Sequence, residues 1–253
     1  MAVIYFDIET RPAPEEERQR ILEELTAEGF TPPGNVKKAE TIAAKQREWE
    51  QGLEAKADEK WRRTSLDASD GGQILCIGYA ITDITDETND ALASNGFLLS
   101  DVLGFHPETK KFMDDSVAID TWWQICGLLS AHERLLYVGY NILDFDLPFI
   151  WRRSVVNEIK PQAWPSMARF RTEPVYDIMQ IWGNWRNNIK LDKLCRLLSI
   201  PSPKDGIDGS QVWQAVCDGR EQEVADYCRR DVDVLIKLHD RLRFIDRKPV
   251  MLP

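Results

Sequence analysis

The first ten residues constrain the fold more than any other segment, because they place acidic side chains inside an apolar run. Residues 2–8 have the β-branched and aromatic composition of a strand that is buried on both faces. Side chains two apart on a strand share a face, so Asp7 and Glu9 lie on the face of Tyr5. Two ionised carboxylates in a dry region repel each other unless a cation binds between them. On this segment alone, a strand end whose acids point into solvent remains the alternative.

A further acid lies within the last long helix, predicted from Glu221 to about Leu242. Apolar residues recur along it at three- and four-residue spacing, and Asp231 lies in the middle of their stripe. Tyr227 precedes Asp231 by one turn and therefore lies on the same face. A carboxylate in such a stripe needs a partner, which a metal cation could be. An exposed position on a poorly amphipathic helix is the alternative.

A third acidic group follows a short apolar strand predicted over 135–140. The segment GYNILDFDLPFIWRR, residues 139–153, ends that strand and begins a helix near Asp146. Asp146 is placed to cap this helix before Pro148, and capping is also an alternative to metal binding for Asp144. Each acidic group alone could be a surface feature. Together, in this order and at strand and helix positions that could converge, the three groups predict a metal site.

The wider pattern predicts an α/β domain. Strands come first and then alternate with helices, which indicates helices layered on a mixed sheet. Further strands are predicted at 73–81, 93–99 and near Val175, and further helices at 116–131, 191–198 and 211–217.

Residues 12–70 interrupt this pattern with a different composition. They are charged and helix-forming, with one helix predicted at 15–28 and a longer one at 36–63. An apolar stripe on the longer helix predicts its packing face, and consists of Trp49, Leu53, Ala57 and Trp61. We therefore expect a single domain, residues 1–253, with a helical insertion at about 12–70 after the first strand.

The charge of the chain is unevenly distributed. A formal net charge of −10 disfavours binding a polyanion over the whole surface, but residues 151–196 contain nine Lys or Arg residues against four acids. The basic residues are Arg152, Arg153, Lys160, Arg169, Arg171, Arg186, Lys190, Lys193 and Arg196. Interleaved with them are Trp151, Trp164, Phe170, Tyr176, Trp182 and Trp185. Basic side chains with aromatic side chains between them suit a single-stranded nucleic acid. The alternative is a solvent-exposed basic rim over buried tryptophans.

The composition also bears on compartment. Five cysteines without a CxxC pair predict reduced thiols. No apolar run approaches the roughly 20 residues that span a bilayer. The opening MAVIYFDIET lacks the basic and apolar regions of a secretory signal. We expect a cytoplasmic protein with no membrane partner.

Three motifs carry a resemblance to a known family. FDIET, YNILDFDLPFI and YCRRD resemble the exonuclease motifs of the DEDD superfamily on the ribonuclease-H-like fold, and Tyr227 four residues before Asp231 resembles its tyrosine subclass. The second motif is similar to the proofreading domains of family B DNA polymerases. Residues 208–231 resemble small polymerase-B-like exonucleases of bacteria and phages. The resemblance covers residues 1–10, about 73–81 and about 135–243, and does not cover the insertion.

This resemblance implies a ribonuclease-H-like mixed sheet of five strands flanked by helices. It also implies a metal-dependent 3′-5′ exonuclease that releases 5′-mononucleotides from single-stranded DNA. The chain ends shortly after the last motif's helix, so we expect a stand-alone enzyme, or one that joins replication or recombination proteins in trans.

The resemblance further implies a two-metal mechanism with Mg²⁺ or Mn²⁺, to which an oxygen-only ligand set is suited. Asp7 would bridge both ions. Glu9 and Asp231 would hold the ion that carries the attacking water, and Asp146 would serve the second ion. Tyr227 would orient that water through its hydroxyl.

Three residues match positions that contact terminal nucleotides in the polymerase domains: Thr10, Asn141 and Phe145. Phe145 could instead belong to the core. No motif reads a 2′-hydroxyl, so an exoribonuclease is the nearest rival, although we favour DNA. A non-catalytic nucleic-acid-binding module is a rival of another class, and a two-metal mononucleotide phosphatase is a third possibility.

Overall fold

The computed structural model of this chain describes residues 1–83, 99–132, 134–202 and 206–245. It divides into two compact units. The sheet unit comprises Met1–Glu9 and Ile74–Pro253, and the helical unit comprises Thr10–Gln73.

Five strands form the main sheet, in the order β3-β2-β1-β6-β7. The strands are β1 Ala2–Arg11, β2 Gln73–Asp83, β3 Leu99–Leu103, β4 Phe105–His106, β5 Lys111–Phe112, β6 Leu135–Gly139 and β7 Val175–Asp177. β1 pairs in parallel with β6 and β6 with β7, whereas β2 and β3 are antiparallel. β4 and β5 form a separate hairpin. The expected α/β fold, a mixed five-stranded sheet of ribonuclease-H-like type flanked by helices, is confirmed.

The helices connect and cover these strands. They are α1 Glu15–Glu28, α2 Ala39–Gln51, α3 Leu53–Arg63, α4 Asp115–His132, α5 Asp146–Val156, α6 Ile178–Trp182, α7 Leu191–Leu197, α8 Val212–Cys217 and α9 Glu221–Arg243. The observed bounds lie close to the predicted ones where a strong period was present, as in α1, α4 and α9. The hairpin β4–β5 and the short α6 were not predicted, because two to five residues are too few to show a period. Of the strand predicted at 93–99, only Leu99 lies within the described residues.

The two faces of β1 pack against different helices. Phe6 lies against Trp122 of α4, with ring centroids 4.7 Å apart. On the opposite face, the Tyr5 hydroxyl lies 2.9 Å from His239 Nδ1 of α9 in a buried hydrogen bond. The alternation predicted from the sequence therefore places β1 between helices, and directs its odd-numbered side chains towards α9.

Helix α9 lies unusually close to β2. A Cβ atom on Gly78 of β2 would be 2.7 Å from Cys228 Sγ and 3.1 Å from the Cys228 carbonyl oxygen. Only glycine allows this approach without displacing the helix. Gly78 thus helps to hold the middle of α9 against the sheet.

Within the helical unit, α1 packs along α3. Arg18 of α1 makes ion pairs with Glu54 at 2.7 Å and Asp58 at 2.5 Å, both on α3. The predicted packing stripe is confirmed for Ala57 and Trp61, which are buried, while its other members are partly exposed.

The single helix predicted over 36–63 is wrong. The chain forms α2 and α3 instead, separated at Gly52. Glycine has poor helix propensity, since it loses the most backbone freedom on folding, and a break is favoured at this position.

Among the residues that the structure describes, no helix is both long and apolar enough to cross a bilayer. All five cysteines are free thiols, four of them buried.

Candidate active site

Three of the predicted acids meet at the junction of β1 and α9. Oxygen atoms of Asp7, Glu9 and Asp231 all lie within 4.8 Å of one another. Glu9 and Asp231 are 7% and 5% exposed, so this is a buried cluster and not a surface patch. The strand period brings the first two acids to the face that α9 covers, and the helical stripe turns Asp231 inward to meet them. The alternatives of a solvent-facing strand end and of an exposed Asp231 are therefore wrong.

Asp146 lies near this cluster and is hydrogen-bonded to the main chain of β1. Its Oδ1 accepts a hydrogen bond of 3.1 Å from the main-chain N–H of Ile8, and its side chain is buried. The capping alternative is wrong for Asp146, which is the first residue of α5. The N-cap is Phe145, which makes no side-chain capping bond.

The neighbouring Asp144 does not cap α5 either. Its carboxylate accepts hydrogen bonds from Arg169 and from Gln180 Nε2, the latter at 2.9 Å. Asp144 therefore joins the turn before α5 to later parts of the chain.

Burial and the charges of neighbouring acids raise the pKa of Asp7, Glu9 and Asp146. Burial raises the pKa of Asp7 well above its usual range, and the charges of Asp146 and Asp231 raise it further. Burial and then the charge of Asp7 raise the pKa of Glu9 in the same way. Burial raises the pKa of Asp146 to about 7, although the hydrogen bond from Ile8 opposes that shift. Desolvation and like charge both disfavour the ionised cluster, and a bound cation would relieve both.

Tyr227 lies beside these acids, one turn before Asp231 on α9, and is 8% exposed. Burial, then the charges of Asp231, Glu9 and Asp7, raise the pKa of its phenol, and a hydrogen bond to Asp231 adds to the shift. The phenol therefore stays neutral at physiological pH. It can donate or accept a hydrogen bond beside the cluster but cannot serve there as an anionic base.

The residues present fit a hard divalent cation. Carboxylate oxygens alone are the ligands preferred by Mg²⁺ and Mn²⁺, whereas zinc sites usually contain histidine or cysteine. The charge of Asp231 and burial both disfavour the ionised forms of Asp7 and Glu9. A multiply charged cation would stabilise those ionised forms. Asp7, Glu9 and Asp231 could hold one cation, and Asp146 is near enough to Asp7 to raise its pKa and could serve a second.

Asp177 at the end of β7 is a residue that the sequence analysis missed as part of the site. It is fully buried and accepts three main-chain hydrogen bonds, from Asn141 at 3.1 Å, Leu143 at 3.0 Å and Gln180 at 3.1 Å. Two of these donors lie in the turn that leads to Asp146. The signal was an acid within the apolar run VYDIM, the same kind of signal that identified Asp7.

Of the three predicted substrate contacts, two lie in the turn before α5. Asn141 has a left-handed backbone with φ 64°, and its carbonyl accepts a hydrogen bond of 3.0 Å from Phe145 N. The Phe145 ring packs against Phe149 at 5.6 Å and is only partly buried. Thr10 belongs to the helical unit, where its hydroxyl donates to the Ser65 carbonyl at 2.7 Å. Their contacts with a nucleotide stay predictions.

The basic and aromatic segment 151–196 is only partly a surface. Arg153 is 5% exposed and pairs with Asp115 at 2.6 Å, so its assignment to a basic rim is wrong. Tyr176 is 4% exposed and belongs to the core. Large aromatic side chains that do reach the surface are Trp151, Trp164, Phe170 and Trp182.

Comparison with known proteins supports the motif assignment. Residues 109–238 match a family described as a predicted 3′-5′ exonuclease related to the exonuclease domain of PolB. The matched region contains Asp146, Tyr227 and Asp231, while Asp7 and Glu9 precede it. A search of curated proteins finds no match to this chain.

Proposed function

The chain belongs to the family of predicted 3′-5′ exonucleases related to the exonuclease domain of PolB, and from that membership we propose that it shortens single-stranded DNA from the 3′ end. It is thus a phosphodiester hydrolase. Each cycle would release one 5′-mononucleotide and leave a new 3′-hydroxyl on the strand. Exonucleases of this kind are generally dependent on divalent metal ions.

The observation that carries the proposal is the buried carboxylate cluster. Asp7, Glu9 and Asp231 offer oxygens within 4.8 Å of one another where the end of β1 lies against the middle of α9. Burial raises the pKa of both β1 acids, so the arrangement is costly for a protein that has no cation to hold. A non-catalytic nucleic-acid-binding module would have no need of such a cluster.

The positions of the side chains support the roles that the resemblance implies. Asp7, Glu9 and Asp231 would hold one cation, and Asp146 would hold a second together with Asp7. Bound cations would supply Lewis-acid stabilisation of the scissile phosphate and a lowered pKa for a water molecule. Asp146 would be kept in place by its hydrogen bond from Ile8 N.

Tyr227 would position the attacking water. Its hydroxyl hydrogen-bonds Asp231 and remains protonated, because burial raises its pKa. In the reaction, the water oxygen forms a bond to phosphorus while the bond from phosphorus to the 3′ oxygen breaks. The departing 3′ oxygen takes up a proton, and the water loses one.

The preference for a single strand is supported by exposed aromatic residues next to exposed basic residues in the segment 151–196. Aromatic faces stack on unpaired bases, which a duplex does not present. We favour DNA over RNA because the second motif resembles the proofreading domains of family B DNA polymerases, and the matched family is related to the exonuclease domain of PolB.

A direct assay tests the proposal. Oligonucleotides labelled at the 5′ end, as single-stranded DNA, single-stranded RNA and duplex DNA, are incubated with Mg²⁺, Mn²⁺ or EDTA. We expect a ladder shortening from the 3′ end on single-stranded DNA, abolished by EDTA and by phosphorothioate linkages at the 3′ end. Faster cleavage of RNA would favour the exoribonuclease, and hydrolysis of mononucleotides alone would indicate a phosphatase. No metal-dependent cleavage of any substrate would refute the proposal.

A further inference from the structure

An aromatic pair is exposed on the sheet unit outside the carboxylate cluster. The rings of Phe170 and Trp185 have centroids 5.4 Å apart at an interplanar angle of 52°. Phe170 is 74% exposed, and Trp185 is partly buried. Leaving an aromatic ring in water forgoes the free energy that its burial would contribute, and exposed apolar groups of this size commonly mark binding sites.

The residues that carry both rings have an uncommon, left-handed backbone conformation. Phe170 has φ 64°, Trp185 has φ 60° and the preceding Asn184 has φ 50°. Bulky side chains are uncommon in this left-handed region, so each needs surrounding contacts to maintain it. The N–H of Trp185 donates a hydrogen bond of 2.8 Å to the Gln180 carbonyl, which supplies one such contact.

A single carboxylate ties both ring-bearing segments to the turn before α5. Asp144 accepts hydrogen bonds from Arg169, the residue before Phe170, and from Gln180 Nε2 at 2.9 Å. Gln180 is also the residue whose carbonyl accepts from Trp185 N. Asp144 lies two residues before Asp146. The aromatic pair is therefore anchored to the turn that delivers a carboxylate to the proposed metal site.

Positive charge flanks the pair. Arg171 follows Phe170 and Arg186 follows Trp185, and both side chains are exposed. In a single-stranded nucleic acid, the aromatic rings could stack on the nucleobases while the guanidinium groups bind the phosphates. A duplex presents its phosphates but keeps its base faces stacked inside, so it would use the charges and not the rings.

We propose that Phe170 and Trp185 form a base-stacking site for an internal nucleotide of the single strand whose 3′ end occupies the carboxylate cluster. The proposal rests on the proposed exonuclease function and adds to it a second point of contact along the strand. Such a site would raise the affinity for strands long enough to reach it. It would contribute nothing to a substrate confined to the cluster.

The test replaces one ring. Phe170→Leu keeps an apolar side chain but removes the aromatic face. Because Phe170 is 74% exposed, the substitution should leave folding unchanged. Phe244→Leu is the matched control, because Phe244 is 92% exposed and also left-handed with φ 55°. Trp185→Leu tests the second ring, and a thermal melt of each variant reports folding.

Two substrates are compared in steady-state kinetics, a trinucleotide and a 20-nucleotide DNA strand. For Phe170→Leu we expect KM on the longer strand to rise roughly 5- to 100-fold, the range for loss of one stacked base, with kcat unchanged. On the trinucleotide it should match wild type, and Phe244→Leu should match wild type on both. Equal KM for wild type and Phe170→Leu on the longer strand would overturn the stacking site. So would an equal loss on the trinucleotide, which would indicate a disturbed carboxylate cluster.

Binding in EDTA separates this proposal from the proposed function. The affinity for a labelled strand is measured by fluorescence anisotropy, with an abasic strand of equal length and charge for comparison. We expect wild type to bind the normal strand more tightly than the abasic one, and Phe170→Leu to lose that difference. Equal affinities in wild type would overturn the stacking site even in an active enzyme. Conversely, an inactive protein that shows the difference would refute the exonuclease and retain the site.

Discussion

The main-chain N–H of Ile8 donates a hydrogen bond to Asp146 Oδ1 at 3.1 Å and so ties the centre of β1 to the first residue of α5. Ile8 lies between Asp7 and Glu9, whose side chains belong to the carboxylate cluster. A buried N–H left without its acceptor costs about 1–3 kcal/mol. Asp146 is therefore held by the strand that carries its neighbours in the cluster, and it has a structural partner as well as a proposed metal.

The carboxylates should respond to substitution unlike ordinary buried ion pairs. We expect Asp7→Ala and Asp231→Ala each to reduce cleavage to below a few per cent of wild type, because each removes a proposed metal ligand. In EDTA the melting temperature should be unchanged or raised, since the substitution relieves repulsion within the cluster. Cleavage of labelled single-stranded DNA and thermal melts measure the two effects.

Asp233→Ala is the control for this pair, because Asp233 is an exposed acid on α9 next to the buried face. It should retain activity. Substantial cleavage by either cluster variant would show that the acids do not hold the essential metal.

Stability without metal should fall as pH rises. The pKa of Asp146 is raised to about 7 in the folded protein, against about 3.9 for an unfolded aspartate. Between these values the folded state keeps a proton that the unfolded state has released, so the free energy of unfolding decreases with pH. The slope from this one group approaches about 1.4 kcal/mol per pH unit, and the raised pKa of Asp7 and Glu9 acts in the same direction.

Thermal melts in EDTA from pH 5 to pH 8 check this dependence. Asp146→Asn keeps an oxygen acceptor for Ile8 but does not titrate, so its melting temperature should fall less steeply with pH than that of wild type. Mg²⁺ should restore stability most at pH 8, where the cluster is most fully ionised. Parallel pH profiles for wild type and variant would contradict the shifted pKa.

Tyr227→Phe tests the hydroxyl beside the cluster. We expect kcat to fall by roughly 10- to 1000-fold, towards the lower end of what a group that handles or orients a proton contributes, with little change in strand affinity. The ring stays in place, so folding should be unaffected. Rapid-quench cleavage and anisotropy report the two quantities. Tyr176→Phe serves as the control, because Tyr176 is a core tyrosine of β7. Equal kcat for Tyr227→Phe and wild type would show that Tyr227 only packs within the protein and takes no part in the reaction.

The helical unit should be dispensable for folding of the sheet unit. It forms its own compact unit, Thr10–Gln73, and the family match at 109–238 lies outside it. A deletion of residues 14–69, closed by a Gly/Ser linker, should therefore melt cooperatively, because removing a long excursion costs little loop entropy. Cleavage of short oligonucleotides should persist. An unfolded product, seen by circular dichroism, would place the helical unit within the folding core.

The local direction of each cluster acid could be predicted from sequence, because strand and helix periods set it. Asp7 and Glu9 share a face of β1 by the period of two, and Tyr227 and Asp231 share one of α9 by the spacing of four. The motifs then indicated that these faces belong to one site. For these residues the local pattern and the final packing agree.

Other features were decided only when distant segments met. The spacing around Asp146 was equally compatible with a helix cap, and only the approach of Ile8 from β1 selects its role. Arg153 had the neighbours of a surface base, yet it is buried against Asp115 of α4. A period reports which way a side chain points along its own element, and it carries no information on which partner lies opposite. That partner is set by the packing of elements far apart in the chain, which is why the sequence determined the acids of the site and the tertiary structure decided what holds them.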